Sequence, residues 1–284
     1  MYLKLRIQYD GTEFSGSQLQ SEGRGRTVQG ELERALSRLA GEPVRANLAG
    51  RTDAGVHAWG QVVSLDFPAR PRLDTPGAVQ RALNGVLPAD LSVLGAEEVD
   101  ARFHARFSAV RRCYRYLIWN AQEPLPLIRR YSLHVRRPLD AAAMSAAAGL
   151  IVGTHDLASF AGQGLGVPQE VGDEERPSTV RTVDVARLLT VDPNAGLWAW
   201  EAPGSGRAED VGLASVGGSR LLALDLVANA FLPQMIRTIV GTLLEVGEGK
   251  RTVEEMKHII ESRDRRRAGP TAKPQGLCLL WVSY

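Results

Sequence analysis

The chain has 284 residues, of which 44% are apolar and 23% charged, and its formal net charge at pH 7 is +2. This length is too great for one small core and suits two domains, and the composition is typical of a soluble globular protein. The apolar runs are strand-sized and far shorter than the roughly 20 residues of a membrane span, so we expect no membrane segment. Strand-like alternation from Met1 onward also predicts that there is no signal peptide.

The first half of the chain predicts strands and helices in mixed order. Predicted strands cover residues 2–10, 61–67 and 92–99, and predicted helices cover residues 27–41 and 75–85. Thr27 and Gly41 are typical residues for the start and the stop of a helix, and Thr75 followed by proline opens the second helix.

The second half continues in the same style. Predicted strands cover residues 113–119, 131–135, 181–191, 221–228 and 277–284, and predicted helices cover residues 140–151, 232–246 and 253–262. Because strands and helices do not alternate regularly, we predict an α+β fold. We place the boundary near residues 101–108, which gives an N-terminal domain of residues 1–104 and a C-terminal domain of residues 105–284.

Three further features complete this prediction of the fold. Apolar residues cover much of the circumference of the helix at residues 232–246, so we expect it to be buried on most sides. Residues 162–177 and 192–219 are rich in Gly and Pro and predict loops, the second with a short hairpin at residues 197–200. We assign no chemistry to either loop.

The cysteines and histidines predict no metal centre. Cys113 and Cys278 are isolated in apolar, strand-like runs, which is typical of buried free thiols in a cytoplasmic protein. The five histidines are scattered, and no Cys/His cluster has the spacing of metal ligands.

Positive charge is concentrated in one stretch, although the whole chain is nearly neutral. Between Ala101 and Arg137 there are nine arginines and a single acidic residue, Glu123. Aromatic residues are interleaved with them at Phe103, Phe107, Tyr114, Tyr116, Trp119 and Tyr131. This pattern is typical of a nucleic-acid surface, but a solvated basic face has the same composition, and spacing alone leaves both interpretations open.

A short loop carries the clearest chemical signal. Residues 50–57 read Gly-Arg-Thr-Asp-Ala-Gly-Val-His between two strand-like runs. Gly50 and Gly55 permit tight turns and close approach of a ligand, and Arg51 favours the ionised form of Asp53. Such a carboxylate can act as a nucleophile or a base. An inert turn with a structural Arg–Asp pair would give the same spacing.

The loop and a series of other motifs, in matching order, resemble the tRNA pseudouridine synthase A family. The motifs are Tyr9-Asp10-Gly11 with Phe14, Gly16, Gln18 and Gln20; Val28-Gln29; Leu32-Glu33; Gly60-Gln61-Val62-Val63; residues 103–109; Tyr114-Arg115-Tyr116; residues 179–182; Asn229-Ala230-Phe231; Met235-Ile236-Arg237; Ile239-Val240-Gly241; and residues 268–272 with Gly276-Leu277. They cover nearly the whole chain apart from the two Gly/Pro-rich stretches. Together they are far more specific than any one alone.

The resemblance implies a fold, a reaction and a site. The fold is α+β, with two mixed domains of predominantly antiparallel sheets, flanking helices and an RNA cleft between them. The reaction is isomerisation of uridine to pseudouridine at positions 38, 39 and 40 in the tRNA anticodon stem-loop, by a homodimer that needs no metal or organic cofactor. Asp53 is implied as the attacking carboxylate, Arg51 as its positioning partner, and Tyr114 as the ring that packs against the uracil. Leu277 is implied in the apolar wall near the base, and Arg181 in a matched motif as a substrate-binding residue.

One position departs from the family pattern, and several side chains have a structural alternative to a functional role. Ser17 stands where the family usually has tryptophan, which puts substrate handling in doubt. For His57 we favour a hydrogen bond that stabilises the loop, and for Tyr116 core packing. His155-Asp156 is expected to be a structural turn rather than a dyad, and residues 265–267 a solvated helix tail.

Two other classes of function are compatible with parts of the sequence. A non-catalytic RNA-binding protein of the same fold would be expected to lack Asp53 or Tyr114, and both are present. A glycoside or nucleoside hydrolase would need a second acid suitably placed beside the first, and no other acid lies in a comparable glycine-flanked loop.

Overall fold

A computed structural model describes residues 1–20, 25–162, 178–191 and 219–284 of the chain. The predicted loops at 162–177 and 192–219, with the hairpin at 197–200, lie outside these residues except for Gly162 and Ser219. The chain divides into two compact units. The first contains Met1–Arg112 and Cys278–Tyr284, and the second contains Cys113–Leu277.

The described part of the first unit contains four adjacent strands of the sheet, a short fifth strand and two α-helices. Its elements are β1 (Tyr2–Tyr9), α1 (Val28–Ala40), β2 (Asn47–Leu48), β3 (His57–Asp66), α2 (Pro76–Asn84), β4 (Leu91–Glu98) and β10 (Leu277–Ser283). The strand order is β4-β1-β3-β10, and β2 pairs with β3. β1 is antiparallel to both β3 and β4, whereas β10 runs parallel to β3.

Local chemistry explains where the helices of this unit begin and end. The Thr27 side chain accepts a hydrogen bond from Gly30 N, and Gly41 ends α1 in the left-handed region at φ 72°. The Thr75 side chain caps α2 in the same way, before Pro76. Both helices therefore confirm the predicted start and stop residues.

Within the described residues, the second unit contains four consecutive strands of the sheet, one further strand and three α-helices. Its elements are β5 (Arg111–Asn120), β6 (Leu133–Val135), α3 (Ala141–Gly149), β7 (Gly153–Asp156), β8 (Val180–Val191), β9 (Arg220–Ala228), α4 (Met235–Gly247) and α5 (Val253–Ser262). The strand order is β5-β9-β8-β7, and β6 pairs in parallel with β5. β8 is antiparallel to both β7 and β9. The α+β fold with mainly antiparallel pairing is confirmed.

The core of the second unit is built around α4. The helix buries most of its residues, as its apolar circumference predicted. Gly241 permits close packing here, because a Cβ atom at this position would lie 1.7 Å from the carbonyl oxygen of Pro270. α4 begins at Met235 rather than at residue 232, because Pro233 disfavours helical backbone before it and Gln234 has φ 59°.

The structure also differs from the sequence predictions elsewhere. The first unit extends to Arg112 and takes in the closing strand, because Cys278 and Leu279 pair with His57 and Ala58. Such pairing of distant segments leaves no local signal. β3 starts at His57, four positions before the predicted start at Gln61. Finally, residues 155–156 belong to β7 rather than to a turn.

The structure also tests the predictions for the two cysteines, for Asp156 and for residues 265–267. Cys113 and Cys278 are free and buried, as predicted. Asp156 accepts a hydrogen bond from the Thr179 hydroxyl at 2.6 Å, which supports a structural role. Residues 265–267 form a short 3-10 helix in which Arg266 and Arg267 are exposed, as predicted for a solvated tail, whereas Arg265 donates to the carbonyl oxygen of Gly269 at 3.0 Å.

Candidate active site

The Asp53 loop, residues 50–56, connects β2 to β3 in the first unit. The two strands pair in antiparallel register, Asn47 with Ser64 and Leu48 with Val63. The Gln61 side-chain amide donates to the carbonyl oxygen of Gly50 at 2.8 Å, which closes the loop at its base. The loop is therefore anchored on a sheet at both ends, as a precise functional site requires.

Inside the loop, side chains alternate between buried and accessible positions. Arg51 is exposed, Thr52 is buried, and Asp53 is partly buried. Val56 N donates to the carbonyl oxygen of Asp53 at 3.1 Å, and Gly55 completes this turn with φ 77°. Arg51 and Asp53 thus lie on one loop, with the buried Thr52 between them.

The opening motif of the sequence forms the support of this loop. A Cβ atom on Gly11 would lie 2.0 Å from the carbonyl oxygen of Val56, so only glycine fits there. Gly16 has φ 101°, and a Cβ atom at that position would lie 3.1 Å from the carbonyl oxygen of Thr52. Two glycines in residues 11–16 therefore let the backbone of the opening motif approach the backbone of the Asp53 loop.

Polar contacts hold Thr52 in the middle of this support. Thr52 N donates to Ser17 Oγ at 2.8 Å, and Ser17 N donates to the carbonyl oxygen of Thr52 at 3.0 Å. The hydroxyls of Tyr9 and Thr52 share a hydrogen bond of 2.8 Å. Burial raises the pKa of Tyr9 to about 12, so its hydroxyl stays neutral in this network.

Ser17, at the position where the family usually has tryptophan, has a structural role in this chain. The side chain is fully buried, and its oxygen is the acceptor for the Thr52 amide. The indole of tryptophan has a donor but no acceptor, so it could not make this bond. In this chain, the position therefore supports the Asp53 loop. Sequence reasoning missed the supporting role of Tyr9, Ser17 and Thr52, although Tyr9 belonged to the matched opening motif.

His57 stabilises the loop from its C-terminal end. The ring is 3% exposed, and its Nδ1 accepts a hydrogen bond from Gly11 N at 3.0 Å. The same nitrogen lies 3.2 Å from Asp10 Oδ1. This confirms the interpretation of His57 as a residue that stabilises the loop.

Tyr114 and Tyr116 lie on β5 in the second unit. The Tyr114 ring is 6% exposed and meets the Phe231 ring edge-on, with centroids 5.2 Å apart. Tyr116 is fully buried, and its hydroxyl donates to the carbonyl oxygen of Lys273 at 2.6 Å, which confirms its role in core packing. Burial raises the Tyr116 pKa above its usual value. The contact between Tyr114 and uracil remains a prediction.

Arg181 lies in the second unit, and so does Leu277, the first residue of β10 and the last residue of that unit. Leu277 is 6% exposed and follows Gly276, where a Cβ atom would lie 2.6 Å from the Tyr116 ring. The Arg181 guanidinium donates to the carbonyl oxygens of Ser178 and Val180, both at 2.7 Å, and burial lowers its pKa. The roles of Leu277 and Arg181 toward substrate remain predictions.

The basic stretch separates into buried and accessible arginines. Arg115 is 3% exposed and makes two hydrogen bonds to the buried Asp225, at 2.7 and 2.9 Å. Arg112 donates to the carbonyl oxygens of Ala49 and Arg106. By contrast, Arg106 is exposed, and its guanidinium lies 5.5 Å from the centroid of Phe107. Only part of this charge is therefore available to a nucleic acid.

The described residues contain neither a cluster of metal ligands nor a membrane-spanning helix. Among residues 1–20, 25–162, 178–191 and 219–284, no group of three or more His, Cys, Asp or Glu side chains could hold a metal ion. No helix within these same ranges is both long enough and apolar enough to span a membrane.

The loop and its support fall inside a segment that matches a known family. Residues 6–108 and 147–284 match the family model described as tRNA pseudouridine synthase. The chain belongs to this family. Pseudouridine synthases are isomerases, so membership makes the protein an enzyme of that class and speaks against both a hydrolase and a non-catalytic RNA-binding protein.

Full-length relatives support the same assignment. A protein of Chloroflexus aurantiacus named tRNA pseudouridine synthase A is 44% identical over 282 residues, 99% of this chain and 88% of the relative. Proteins of the same name from Moorella thermoacetica and a Geobacillus species are 41% and 40% identical, each over 99% of this chain and 99% and 98% of their own length. The matched family segments contain Asp53, Arg181 and Leu277, whereas Tyr114 lies between them.

Proposed function

We propose that this pseudouridine synthase acts on the tRNA anticodon stem-loop, at positions 38, 39 and 40, with Asp53 as the attacking carboxylate. The observation that carries the proposal is the placement of Asp53. Asp53 is partly buried, and Ser17 and Tyr9 hold Thr52, the residue that precedes it. Arg51, on the same loop, is exposed. A carboxylate held in this way is pre-organised for attack on a bound nucleoside.

The proposed reaction needs no atom beyond those of the uridine and solvent. The N1–C1′ bond breaks, the uracil turns, and a C5–C1′ bond forms. The hydrogen on C5 leaves as a proton, and N1 gains a proton from solvent, so the product is an isomer of the substrate. Asp53 acts as the nucleophile, either at C6 of the ring or at C1′. In both routes the bond to Asp53 is temporary, so the carboxylate is regenerated and no cofactor is consumed.

The remaining site residues bind and hold the base. A uridine in a stem-loop must be flipped out, which costs a few kcal/mol. We assign Arg51 to positioning of Asp53 and extrusion of the base, and Tyr114 to packing against the uracil. Leu277 supplies apolar wall and Arg181 contacts substrate. Exposed arginines such as Arg106 neutralise phosphates and fix the register of the RNA.

We also propose that the enzyme works as a homodimer in the cytoplasm, where it meets its tRNA substrate. Family resemblance alone supports the dimer. The apolar circumference of α4 gives no further support, because the helix is already buried within its own unit. Light scattering at micromolar concentration tests this proposal, and a fully active monomer would refute it.

The activity is tested by release of tritium from tRNA labelled at uracil C5. Isomerisation expels that hydrogen, whereas binding or hydrolysis of the glycosidic bond does not. Wild-type enzyme should release tritium, and Asp53→Asn should abolish turnover while keeping tRNA affinity, because asparagine preserves shape but is not a nucleophile. Turnover of the variant within about tenfold of wild type would contradict the role of Asp53.

A further inference from the structure

Ser17 contacts both backbone polar groups of the residue that precedes Asp53. Its Oγ accepts from Thr52 N at 2.8 Å, and its N donates to the carbonyl oxygen of Thr52 at 3.0 Å. Ser17 is fully buried and Thr52 is 8% exposed, so water has little access to this pair. The backbone at Thr52 is therefore fixed by one side chain and one main chain that lie 35 residues earlier in the sequence.

Ser17 is itself fixed by a rigid element. Gln29 N, in the first turn of α1, donates to the carbonyl oxygen of Ser17 at 2.9 Å. Val28 N donates to the carbonyl oxygen of Gly16 at 3.3 Å. The start of α1 thus holds residues 16–17, and these hold Thr52, which makes a continuous connection from a helix to the Asp53 loop.

The side chain of Thr52 is held from the strand β1. Its hydroxyl shares a hydrogen bond of 2.8 Å with the hydroxyl of Tyr9, whose ring is 3% exposed. Three polar groups of Thr52 therefore have partners in two different segments, the strand β1 and the residues that precede α1. This is more support than a surface turn requires, and it is concentrated on the residue next to the carboxylate.

We propose that Ser17 is a positioning residue for the isomerisation, which holds Thr52 so that the Asp53 carboxylate meets the flipped nucleoside. The proposal rests on the proposed role of Asp53. Without the Ser17 hydroxyl, the amide of Thr52 is left buried without that acceptor, and the loop must shift to satisfy it. A displacement of about 1 Å at a reacting group can cost roughly 100-fold in rate.

The first test compares Ser17→Ala with Ser37→Ala as a matched control. Ser37 lies at the other end of α1 in the same unit, and its Oγ accepts from Val44 N at 3.0 Å, so both variants remove the same type of hydrogen bond. Single-turnover tritium release is measured at saturating tRNA, with tRNA affinity at fixed salt and unfolding midpoints in parallel. We expect the rate of Ser17→Ala to fall about 10- to 100-fold with affinity within about twofold, while Ser37→Ala keeps the wild-type rate.

A second variant keeps the test valid if Ser17→Ala does not fold. Tyr9→Phe retains the ring in the core and removes only the hydroxyl that contacts Thr52. It should lower the same single-turnover rate, again without a change in tRNA affinity. Ser17→Thr, which keeps the acceptor oxygen, should be faster than Ser17→Ala.

The outcomes separate this proposal from the proposed function. Ser17→Ala and Tyr9→Phe rates equal to that of Ser37→Ala would overturn the positioning role, as would a loss confined to tRNA affinity. Neither result would affect the assignment of Asp53, which depends on Asp53→Asn. If Asp53→Asn turned over normally, the proposed function itself would fail, whatever the Ser17 variants did.

Discussion

Two substitutions of Tyr114 can separate packing of its ring against the uracil from proton transfer by its hydroxyl. They differ strongly in their expected effect on stability. The ring is 6% exposed and packs edge-on against Phe231 at 5.2 Å. Tyr114→Ala therefore removes a buried ring and leaves a cavity beside Phe231, which should cost about 3–5 kcal/mol of unfolding free energy. Tyr114→Phe keeps the ring and this contact, and loses at most about 1 kcal/mol through the hydroxyl.

The kinetic expectation differs for the two roles. If Tyr114 only packs against the uracil, Tyr114→Phe keeps the aromatic face and should keep substantial activity. If its hydroxyl also handles the proton leaving C5, Tyr114→Phe should bind tRNA normally but turn over slowly, by about 10²- to 10⁴-fold. We expect the second result. Tyr114→Ala should lose a further 1–3 kcal/mol of support for the flipped base, about 5- to 150-fold.

The assay is single-turnover tritium release at saturating tRNA, with binding measured at one salt concentration. Because Tyr114→Ala also weakens the fold, its activity is interpreted only below its measured unfolding transition. A fully active Tyr114→Phe enzyme would remove the proton-transfer role. A folded and fully active Tyr114→Ala enzyme would show that the ring does not contact the target base.

Three further predictions follow from other parts of the structure. Asp225→Asn should lower the free energy of unfolding by about 3–5 kcal/mol, because Arg115 and Arg187 both bond to this fully buried carboxylate; an unchanged urea midpoint would contradict this. Phe107 is 76% exposed beside Arg106, so Phe107→Ala should weaken tRNA binding about 5-fold or more without altering stability, whereas Phe107→Tyr should bind normally. Equal affinity of Phe107→Ala and wild type in a filter-binding titration would refute stacking there. Activity should survive exhaustive chelation of divalent ions. If activity were lost and one specific divalent ion restored it, after correction for tRNA refolding, the result would argue against a metal-free reaction.

Elements with strong local signals were predictable from the sequence. α5 spans Val253–Ser262, the predicted range, because Thr252 and Glu255 form a capping box around an apolar stripe. α1 and α2 begin after the predicted threonine caps. By contrast, the strand pairing of β10 with β3 joins segments more than 200 residues apart, as Cys278 with His57, and periodicity carries no information about such partners.

The candidate site shows the same division between local and distant information. The Asp53 loop stood out because a carboxylate between two glycines is a local pattern, and the family resemblance then implied its role. The support of that loop was not found, because Ser17 and Tyr9 are ordinary residues when read alone. Their role appears only when Ser17 Oγ and the Tyr9 hydroxyl are seen within 2.8 Å of Thr52. The family resemblance included Tyr9 in the opening motif, but it gave no physical reason for a tyrosine at that position.

Charge counted along the sequence overstates the charge that can reach RNA. The stretch from 101 to 137 has nine arginines, yet Arg115 is buried against Asp225 and Arg112 is engaged by backbone carbonyls. Arg102 pairs with Asp100, but that pair is exposed and therefore weak enough to exchange for a phosphate. Because each neutralised phosphate adds about one unit to the salt dependence of binding, the measured slope should report fewer than nine contacts from this stretch. Arg115 instead bonds within the sheet, and Arg112 holds the backbone of the loop that presents the exposed Arg106.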